Sequence, residues 1–336
     1  MTKVIVIQTA FLGDAILTLP MIQYFKEKNK QVELDVICIP STKEVFEKSS
    51  YVNRVFVFDK KGKEKSLFSL LQFAKKLNKE NYDLVISPHR SMRSSLLTFL
   101  IKSNDSITFD KTAGSFFYKR KIKYNNSEHE VLRNLRLVNF NESNWKIFPS
   151  FIYLDYEKQN VNDFLAAHFN KDGHVCAVAP GSVWETKRMP QYLFEKLIGE
   201  LRKRNCLVVL IGGKDDMMLC EEISSKFDEN VISTAGKFNV SETSYLLSKC
   251  KFLITNDSAP THIGMSANIP VFTVYCSTIP EFGFFPYSQN SFVFGVNDLD
   301  CKPCGIHGHK KCPIGTFECG HKINLREIIN KVEELI

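Results

Sequence analysis

GDAILTLP at residues 13–20 decides the first half of the fold, and NDSAPTHIGMSANIP at 256–270 repeats its pattern in the second. Each segment follows an apolar run typical of a β-strand, at 4–8 and at 252–255, and each opens a helix pattern. A polar turn between such a strand and helix lies at the carboxyl edge of a parallel sheet, where open α/β folds bind ligands. Two such turns, one near each end of the chain, therefore predict two similar α/β domains.

Strand and helix patterns alternate along the whole chain. Strands are predicted at 4–8, 31–39, 55–58, 84–87, 175–179, 207–211, 231–233, 252–255 and 271–275. Helices are predicted at 14–28, 43–48, 67–78, 91–101, 128–140, 158–169, 191–204, 217–226, 241–249, 262–267 and 325–336. Pro20 is expected to kink the first helix, and a loop-rich stretch is expected between 101 and 128. This βα alternation predicts parallel sheets in both halves.

The length of 336 residues exceeds the roughly 250–300 residues that one hydrophobic core serves. We expect a first domain at 1–150 and a second at 151–336, joined through 141–156. The amphipathic helix at the C-terminus is a candidate to pack back on the first domain.

The net charge of +7 is unevenly distributed. Residues 1–150 hold 25 Lys and Arg against 15 Asp and Glu, whereas the remainder holds 19 against 22. The basic half favours an anionic partner, such as a phosphorylated substrate or an acidic membrane surface. The alternative is that the lysine runs at 60–65 and 119–123 are merely solvated loops.

Several protein classes are disfavoured by what the sequence lacks. No apolar run reaches the ~18 residues that cross a bilayer, and the N-terminus reads as a first strand, so a cytoplasmic protein is expected. Neither a Gly-x-Gly-x-x-Gly nor a Walker A loop occurs, which argues against dehydrogenases and P-loop ATPases. A Gly-x-Ser-x-Gly elbow is also missing.

Asp14 is the candidate catalytic residue. Gly13 permits a tight turn between strand and helix, and Asp14 then lies at or near the helix N-cap. A carboxylate facing a ligand there can act as a general base on a hydroxyl. The alternative is purely structural, because Asp is a favoured N-cap and complements the helix dipole.

Three loops of the second half are candidate ligand sites. The segment at 179–190 joins Gly181 and Ser182 to two cations before a helix, which suits a diphosphate, or is an ordinary βα loop. Gly212 and Gly213 let the backbone approach a base or ribose. Asp257 and Ser258 precede a helix whose backbone N–H groups would face an anion, and otherwise serve as its cap.

Cys301, Cys304, Cys312 and Cys319 form a cluster with three histidines nearby. Their spacing is compatible with a structural zinc site. The alternatives are a disulfide, disfavoured in a reducing compartment, or a packed loop of free thiols. The other six of the ten cysteines are scattered and read as buried thiols.

Together these motifs resemble glycosyltransferase family 9, the ADP-heptose:lipopolysaccharide heptosyltransferases, over essentially the whole chain. VIVIQTAFLGDAILTLP (4–20) is similar to the family's opening motif and places Asp14 on its catalytic base. PGSVWETKRMP (180–190) is similar to its Pro-Gly-Ser…Lys-Arg-Trp-Pro segment, with Lys187 on the donor-phosphate lysine and Met189 in place of the usual Trp. Residues 257–262 match its Asp-Ser/Thr-Gly-x-x-His motif, with Ala259 in place of Gly. SPHRSMRSSLL (87–97) and the cysteine cluster also look like parts of this family.

The resemblance implies a GT-B fold, with two Rossmann-like domains facing across a cleft. The acceptor would lie on the first domain and the nucleotide sugar on the second. The acceptor residues would be Gly13, Arg90 and Arg93. The donor residues would be Gly181, Ser182, Lys187, Gly212, Gly213, Asp257, Ser258, Ala259 and His262.

It further implies an inverting transfer of heptose from ADP-heptose, with Asp14 as base. Lys187 and the helix N-terminus after Asp257 would stabilise the leaving diphosphate, so no catalytic cofactor or metal is required. The acceptor would be the lipid-linked, anionic inner core of lipopolysaccharide, which brings the enzyme to the cytoplasmic face of the inner membrane as a peripheral protein.

Two other functions stay open from the sequence. One is a related glycosyltransferase that uses another nucleotide sugar. The other is a non-catalytic protein that binds a nucleotide sugar or nucleic acid. Nucleic acid is not expected as a partner, because the basic residues lack the interleaved aromatics of a nucleic-acid platform.

Overall fold

Each half of the chain folds around a parallel sheet of six strands. The computed structural model describes residues 2–169 and 172–336, and the chain divides into two units, Met1–Ile152 and Tyr153–Ile336. In the first unit the elements are β1 (Lys3–Gln8), α1 (Leu12–Lys28), β2 (Glu33–Cys38), α2 (Lys43–Glu47), β3 (Arg54–Val57), α3 (Leu67–Leu77), β4 (Leu84–Ser87), α4 (Met92–Leu100), β5 (Asp105–Phe109), β6 (Arg120–Ile122) and α5 (Glu130–Arg136).

The second unit repeats the alternation. Its elements are α6 (Asp155–His168), β7 (His174–Ala179), α7 (Gln191–Lys203), β8 (Cys206–Leu210), α8 (Met217–Ser224), β9 (Val231–Ser233), α9 (Val240–Leu247), β10 (Leu253–Asn256), α10 (Ala259–Ser266), β11 (Val271–Tyr275), β12 (Phe292–Gly295), α11 (Glu318–His321) and α12 (Leu325–Glu333).

The two sheets share one topology. The strand order is β3-β2-β1-β4-β5-β6 in the first unit and β9-β8-β7-β10-β11-β12 in the second, and every strand pair is parallel. In this doubly wound arrangement the chain order reverses between the first and fourth strands, and ligands bind beyond the carboxyl ends of those strands. The switch points are therefore β1/β4 and β7/β10.

Buried apolar strands hold each unit together. Val4 to Ile7 on β1 and Leu253 and Ile254 on β10 are completely buried. Near-continuous apolar runs of this kind are typical of strands covered by helices on both faces. One face of the first sheet is covered by α3 and α4 through Leu70, Ala74 and Leu97. The helices thus fix the strands whose ends carry the polar turns.

The last helix packs within the second unit. Ile328, Ile329 and Val332 of α12 lie in the same hydrophobic core as Leu197 and Leu201 of α7. The apolar stripe of this helix thus has a partner on α7, and its packing against the first domain stays a prediction.

The structure departs from the predicted elements in several places, and the short helix α11 was not predicted. Short strands β5 and β6 lie in the stretch predicted as loop, and β12 was not predicted. α1 begins at Leu12 and continues through Pro20 to Lys28. Within the described residues, no helix is both long and apolar enough to cross a bilayer.

Candidate functional site

The polar loops of the second unit meet at one edge of its sheet. β10, β7 and β8 are adjacent parallel strands, so the loops that follow them share the carboxyl edge. These loops carry Gly181 and Ser182 after β7, Gly212 and Gly213 after β8, and Asp257 and Ser258 after β10, where Ala259 begins α10. The structure therefore brings the sequence-predicted donor residues to the β7/β10 switch point.

An ion pair joins the loops that follow β7 and β10 at this switch point. Lys187 Nζ lies 2.6 Å from Asp257 Oδ2, and Thr278 Oγ1 donates to the same carboxylate oxygen at 2.7 Å. The Lys187 and Asp257 side chains are 14% and 9% exposed. Because an ammonium has three donors, Lys187 can keep this contact and still bind an incoming oxyanion. The pair thus fixes a cation at the sheet edge.

Asn256, the last residue of β10, holds the neighbouring loops in place. Its completely buried side-chain amide donates to the Pro180 carbonyl at 2.8 Å, and its Oδ1 accepts from the Met189 N–H at 2.9 Å. Met189, which stands where Trp was expected, is itself buried. The ends of the loop that carries Lys187 are therefore tied to the strand next to it.

The glycines of these loops make room for Asp216. A Cβ on Gly181 would overlap the Asp216 carboxylate, and one on Gly212 would lie 2.6 Å from Asp216 Cβ. The Gly213 N–H donates to Asp216 Oδ2 at 2.9 Å. Burial raises the pKa of Asp216 above its ordinary value. Sequence reasoning assigned the glycines to ligand approach and missed Asp216, whose packing accounts for two of them.

His262 is held neutral inside α10. It is 4% exposed, and its Nδ1 has no hydrogen-bond partner within the described part of the chain. Burial, with a smaller contribution from the nearby Lys187 charge, lowers its pKa to about 3. The imidazole therefore adds no positive charge to the site near neutral pH.

The segment that follows Cys301 lies beside the loop that carries Lys187. The His309 N–H donates to Thr186 Oγ1 at 2.7 Å, and the Thr186 N–H donates to the His309 carbonyl at 3.1 Å. Thr186 Oγ1 and Ser277 Oγ are 3.0 Å apart, and the Cys304 N–H donates to the Ser277 carbonyl at 2.9 Å. This segment is bound to the two loops that surround the ion pair.

The four clustered cysteines do not assemble as metal ligands. Cys319 is buried in the hydrophobic core, while the Cys312 sulfur accepts the Phe317 N–H and the Cys304 thiol donates to the Cys301 carbonyl. In residues 2–169 and 172–336, no three His, Cys, Asp or Glu side chains are grouped as a metal site. The zinc expectation thus gains no support from the geometry, although burial raises the pKa of Cys319 and Cys304, Cys301 and Cys312 lie close enough to raise it further.

Two aspartates, Asp298 and Asp300, form an Asp-x-Asp pair, a spacing of carboxylates that can bind a metal ion. Both side chains are exposed, in the segment beyond the carboxyl end of β12, the edge strand of the second sheet. β12 is separated from β10 by β11, so the pair belongs to neither strand of the switch point.

In the first unit, Asp14 lies just beyond the end of β1. α1 starts at Leu12 with Phe11 as its N-cap, so Gly13 and Asp14 are the second and third helical residues. Asp14 is half-buried in the first turn, where the helix dipole favours a carboxylate. Asp14 is therefore not the N-cap, and Gly13 belongs to the helix rather than to the preceding turn.

Arg90, on the neighbouring β4–α4 loop, and Arg93, in the first turn of α4, have different surroundings. The Arg90 guanidinium is exposed and lies 4.0 Å from the centroid of the Tyr124 ring. Arg93 donates to the backbone carbonyls of Glu64 and Lys65 and lies over Phe58. Arg90 thus presents a cation at the β1/β4 switch point, whereas Arg93 anchors the loop before α3.

A buried polar network, missed by sequence reasoning, joins the two strands of this switch point. Thr9 Oγ1 lies 2.8 Å from His89 Nδ1, and Ser94 Oγ lies 3.0 Å from the same nitrogen. Lys60 Nζ donates to the Thr9 carbonyl at 2.6 Å. Burial, then the charges of Lys60 and Arg90, lower the pKa of His89 to about 4. The network thus stabilises the sheet edge that carries Asp14, and its histidine is uncharged near neutral pH.

Comparison with known proteins places these loops in context. Residues 70–314 match the model of glycosyltransferase family 9 (heptosyltransferase). The lipopolysaccharide heptosyltransferase 3 of Escherichia coli is 24% identical over 303 residues, which cover 86% of this chain and 87% of that protein.

Solved structures agree on the fold. The glycosyl transferase family 9 structure from Veillonella parvula DSM 2008 superimposes with a TM-score of 0.87 at 20% identity, covering 99% of this chain and 97% of its own. The structure of E. coli heptosyltransferase WaaC with ADP gives a TM-score of 0.74 at 18% identity and covers both chains completely. The two parallel sheets are thus those of a two-domain, Rossmann-like GT-B fold.

Proposed function

Because this chain belongs to glycosyltransferase family 9, we propose that it transfers heptose from ADP-heptose to the inner core of a lipopolysaccharide. The chain is a glycosyltransferase with a GT-B fold. The choice of donor draws on the similar E. coli heptosyltransferase, whose structure contains ADP, and the choice of acceptor on the lipopolysaccharide heptosyltransferases.

The observation that carries the proposal is the ion pair at the β7/β10 switch point. Lys187 and Asp257 come from the loops after two adjacent strands and meet at 2.6 Å. A diphosphate at this edge would accept a charge-assisted hydrogen bond from Lys187 and face the start of α10. Pro260, the second residue of α10, has no N–H to offer, which gives the lysine a larger share of the phosphate contacts.

The acceptor side of the proposal rests on the first unit. Asp14 and Arg90 follow β1 and β4, the two strands of its switch point. We assign the acceptor's anionic groups to Arg90, because its guanidinium is exposed and oriented by Tyr124. Arg93 is assigned a positioning role through the 64–65 carbonyls.

The proposed reaction inverts the anomeric centre. The acceptor oxygen forms a bond to C1 of the heptose while the bond from C1 to the diphosphate oxygen breaks on the opposite face. Asp14 takes the hydroxyl proton as general base. Lys187 and the start of α10 stabilise the negative charge that grows on ADP. This chain's own residues thus supply each role without a cofactor.

A lipid-linked acceptor places the reaction at a membrane. We propose that the enzyme works as a peripheral protein on the cytoplasmic face of the inner membrane. The excess of Lys and Arg in residues 1–150 supports contact with its anionic lipids.

Asp14→Asn tests the catalytic proposal. The amide keeps the size of the carboxylate but cannot take a proton, so we expect turnover to fall by about 10²- to 10⁴-fold. Binding of ADP, measured by calorimetry, should not change. Glu27→Gln is the matched control, since Glu27 is an exposed acid on the same helix. An Asp14→Asn variant that keeps more than about a tenth of the turnover excludes the base role.

A further inference from the structure

The outer surface of α3 and α4 in the first unit exposes an unusual number of large apolar side chains. Each is at least half exposed, although a helix normally gives such positions to polar residues. This apolar face consists of Leu67, Phe68, Leu71, Met92, Phe99 and Phe116.

These side chains lie on neighbouring elements. α3 packs against α4, and α4 packs against the short turn Ser115–Phe117. The Phe117 ring lies 4.9 Å from that of Phe99 and 4.4 Å from that of Phe116. The inward side of α3 and α4 is already filled by the core, so the apolar face points away from the sheet. A grouping of exposed apolar residues on a soluble domain marks an interaction surface.

Exposed lysines flank the apolar face along the chain, before α3 and after the Ser115–Phe117 turn, and form its lysine border. Lys61, Lys63 and Lys65 are exposed in the loop before α3. A second exposed set, Lys119, Lys121 and Lys123, follows the Ser115–Phe117 turn. Residues 59–65 hold four Lys against two acids, and residues 119–123 hold three Lys and one Arg without an acid. Both lysine segments therefore carry a net positive charge.

We propose that the apolar face and its lysine border dock this protein on an anionic lipid bilayer. The apolar side chains would enter the boundary between headgroups and acyl chains, and the lysines would contact anionic headgroups. A second copy of the chain is a poorer occupant, because a symmetric contact would bring like-charged borders together. This inference rests on the proposed function, which makes the acceptor lipid-linked.

The docking surface is joined to the acceptor edge. Arg93, in the first turn of α4, donates to the carbonyls of Glu64 and Lys65, and Lys60 donates to the Thr9 carbonyl just after β1. The loop at 59–65, which carries Lys61, Lys63 and Lys65, therefore connects the apolar face to the sheet edge that carries Asp14. A bilayer bound to this face would hold its lipid-linked sugar near that edge.

Sedimentation with vesicles tests the docking. Wild-type protein should bind vesicles of phosphatidylethanolamine and phosphatidylglycerol and ignore pure phosphatidylcholine vesicles. The double variant Phe68→Ser, Leu71→Ser should lower the partition coefficient by at least about tenfold. Lys63→Glu with Lys65→Glu should weaken binding and its dependence on salt. Met218→Ser, at an exposed apolar position of the second unit, is the control that should bind as wild type does.

Two further measurements separate the outcomes. On a water-soluble, delipidated acceptor the Phe68→Ser, Leu71→Ser variant should keep the wild-type kcat/KM, because its residues lie outside the site. If the wild-type protein does not glycosylate that acceptor, the proposed function is wrong, whereas the vesicle measurements still test the docking proposal. Equal vesicle binding by variant and wild type overturns the docking proposal. So does analytical ultracentrifugation that shows a wild-type dimer which the variant loses.

Discussion

At the scale of single residues, the proposed donor site depends on a cation that is held in position by the protein itself. Lys187 is held by Asp257, and Thr278 hydrogen-bonds to the same oxygen. A lysine on an exposed loop loses side-chain entropy when it binds phosphate, whereas a restrained one has already lost it. The ion pair thus prepares the lysine for a diphosphate.

Lys187→Ala should weaken ADP binding by about ten- to a hundredfold, because a charge-assisted hydrogen bond contributes roughly 1.5–3 kcal/mol. Calorimetry with ADP measures the effect. Lys196→Ala removes an exposed lysine from α7 and should leave the affinity unchanged. If Lys187→Ala binds ADP as tightly as wild type, the lysine is a structural partner of Asp257 alone.

Sequence reasoning found both members of this pair but not their contact, since 70 residues separate them and only the strand order brings them together. It missed Thr278 and Asp216. Thr278 lies three residues after the end of β11, so the predicted strand end was a signal that could have found it. Asp216 shows its role only through the space it occupies beside Gly181 and Gly212.

At the scale of elements, two arginines that the sequence treats alike differ, because Arg90 lies on the β4–α4 loop and Arg93 in the first turn of α4. Arg90 is exposed over Tyr124, whereas Arg93 is committed to backbone carbonyls of the 59–65 loop. Spacing alone could not distinguish them, because the difference comes from which neighbouring loop each one reaches.

Arg90→Ala should raise the acceptor KM about tenfold and leave the donor KM unchanged, because it removes a cation that we propose binds the acceptor and not the donor. Steady-state kinetics with each substrate varied in turn measures both constants. Arg120→Ala is the control, since Arg120 is an exposed arginine of the same unit that pairs with Asp105. A rise in donor KM of equal size would show that Arg90 supports the fold of the site instead.

The strands of the sequence prediction were those with strong apolar runs. β1, β4, β8 and β10 have buried Val, Ile or Leu residues, β7 has buried Cys, Ala and Val, and all five lie within one residue of the prediction. β6 was missed because its sequence is RKI, which reads as a charged loop. It forms at the sheet edge through pairing with β5, a long-range contact that a local pattern does not show.

At the scale of the whole molecule, each unit holds one uncharged histidine near its switch point, half-buried in the first unit and buried in the second. The pKa values of His89 and His262 are lowered to about 4 and about 3, against about 6.5 in an unfolded chain. Between these values the unfolded chain binds more protons than the folded one, so protons favour unfolding. The contribution of the neutral rings is complete above about pH 7 and falls as the pH drops through 6.5 towards 4.

Thermal unfolding midpoints should therefore decrease as the pH falls from about 6.5 to about 4. His89→Gln and His262→Gln, which cannot take up a proton, should each make this decrease shallower. His168→Gln is the control, because His168 is exposed on α6. Parallel curves for all four proteins would show that other groups control the acid sensitivity.

The strand order 3-2-1-4-5-6, repeated in both units, was only partly predictable. Alternation of βα units predicts parallel sheets, but pairing between distant strands decides the order. The motif after β1 and the motif after β10 suggested equivalent places in the two domains. The topology instead makes β7 the counterpart of β1, so the loop with Lys187 corresponds to the loop with Asp14.

Hydrogen bonds join the Cys304–His309 segment to Thr186 and Ser277. They limit how a loop of this site can be exchanged with that of a related enzyme to change its donor preference. A chimera that exchanges only the 180–190 loop would pair a foreign Thr186 position with the resident backbone at His309. Four hydrogen bonds across these three segments would then depend on mismatched partners. The three segments therefore form one exchangeable module, although more than 100 residues separate the first from the last along the chain.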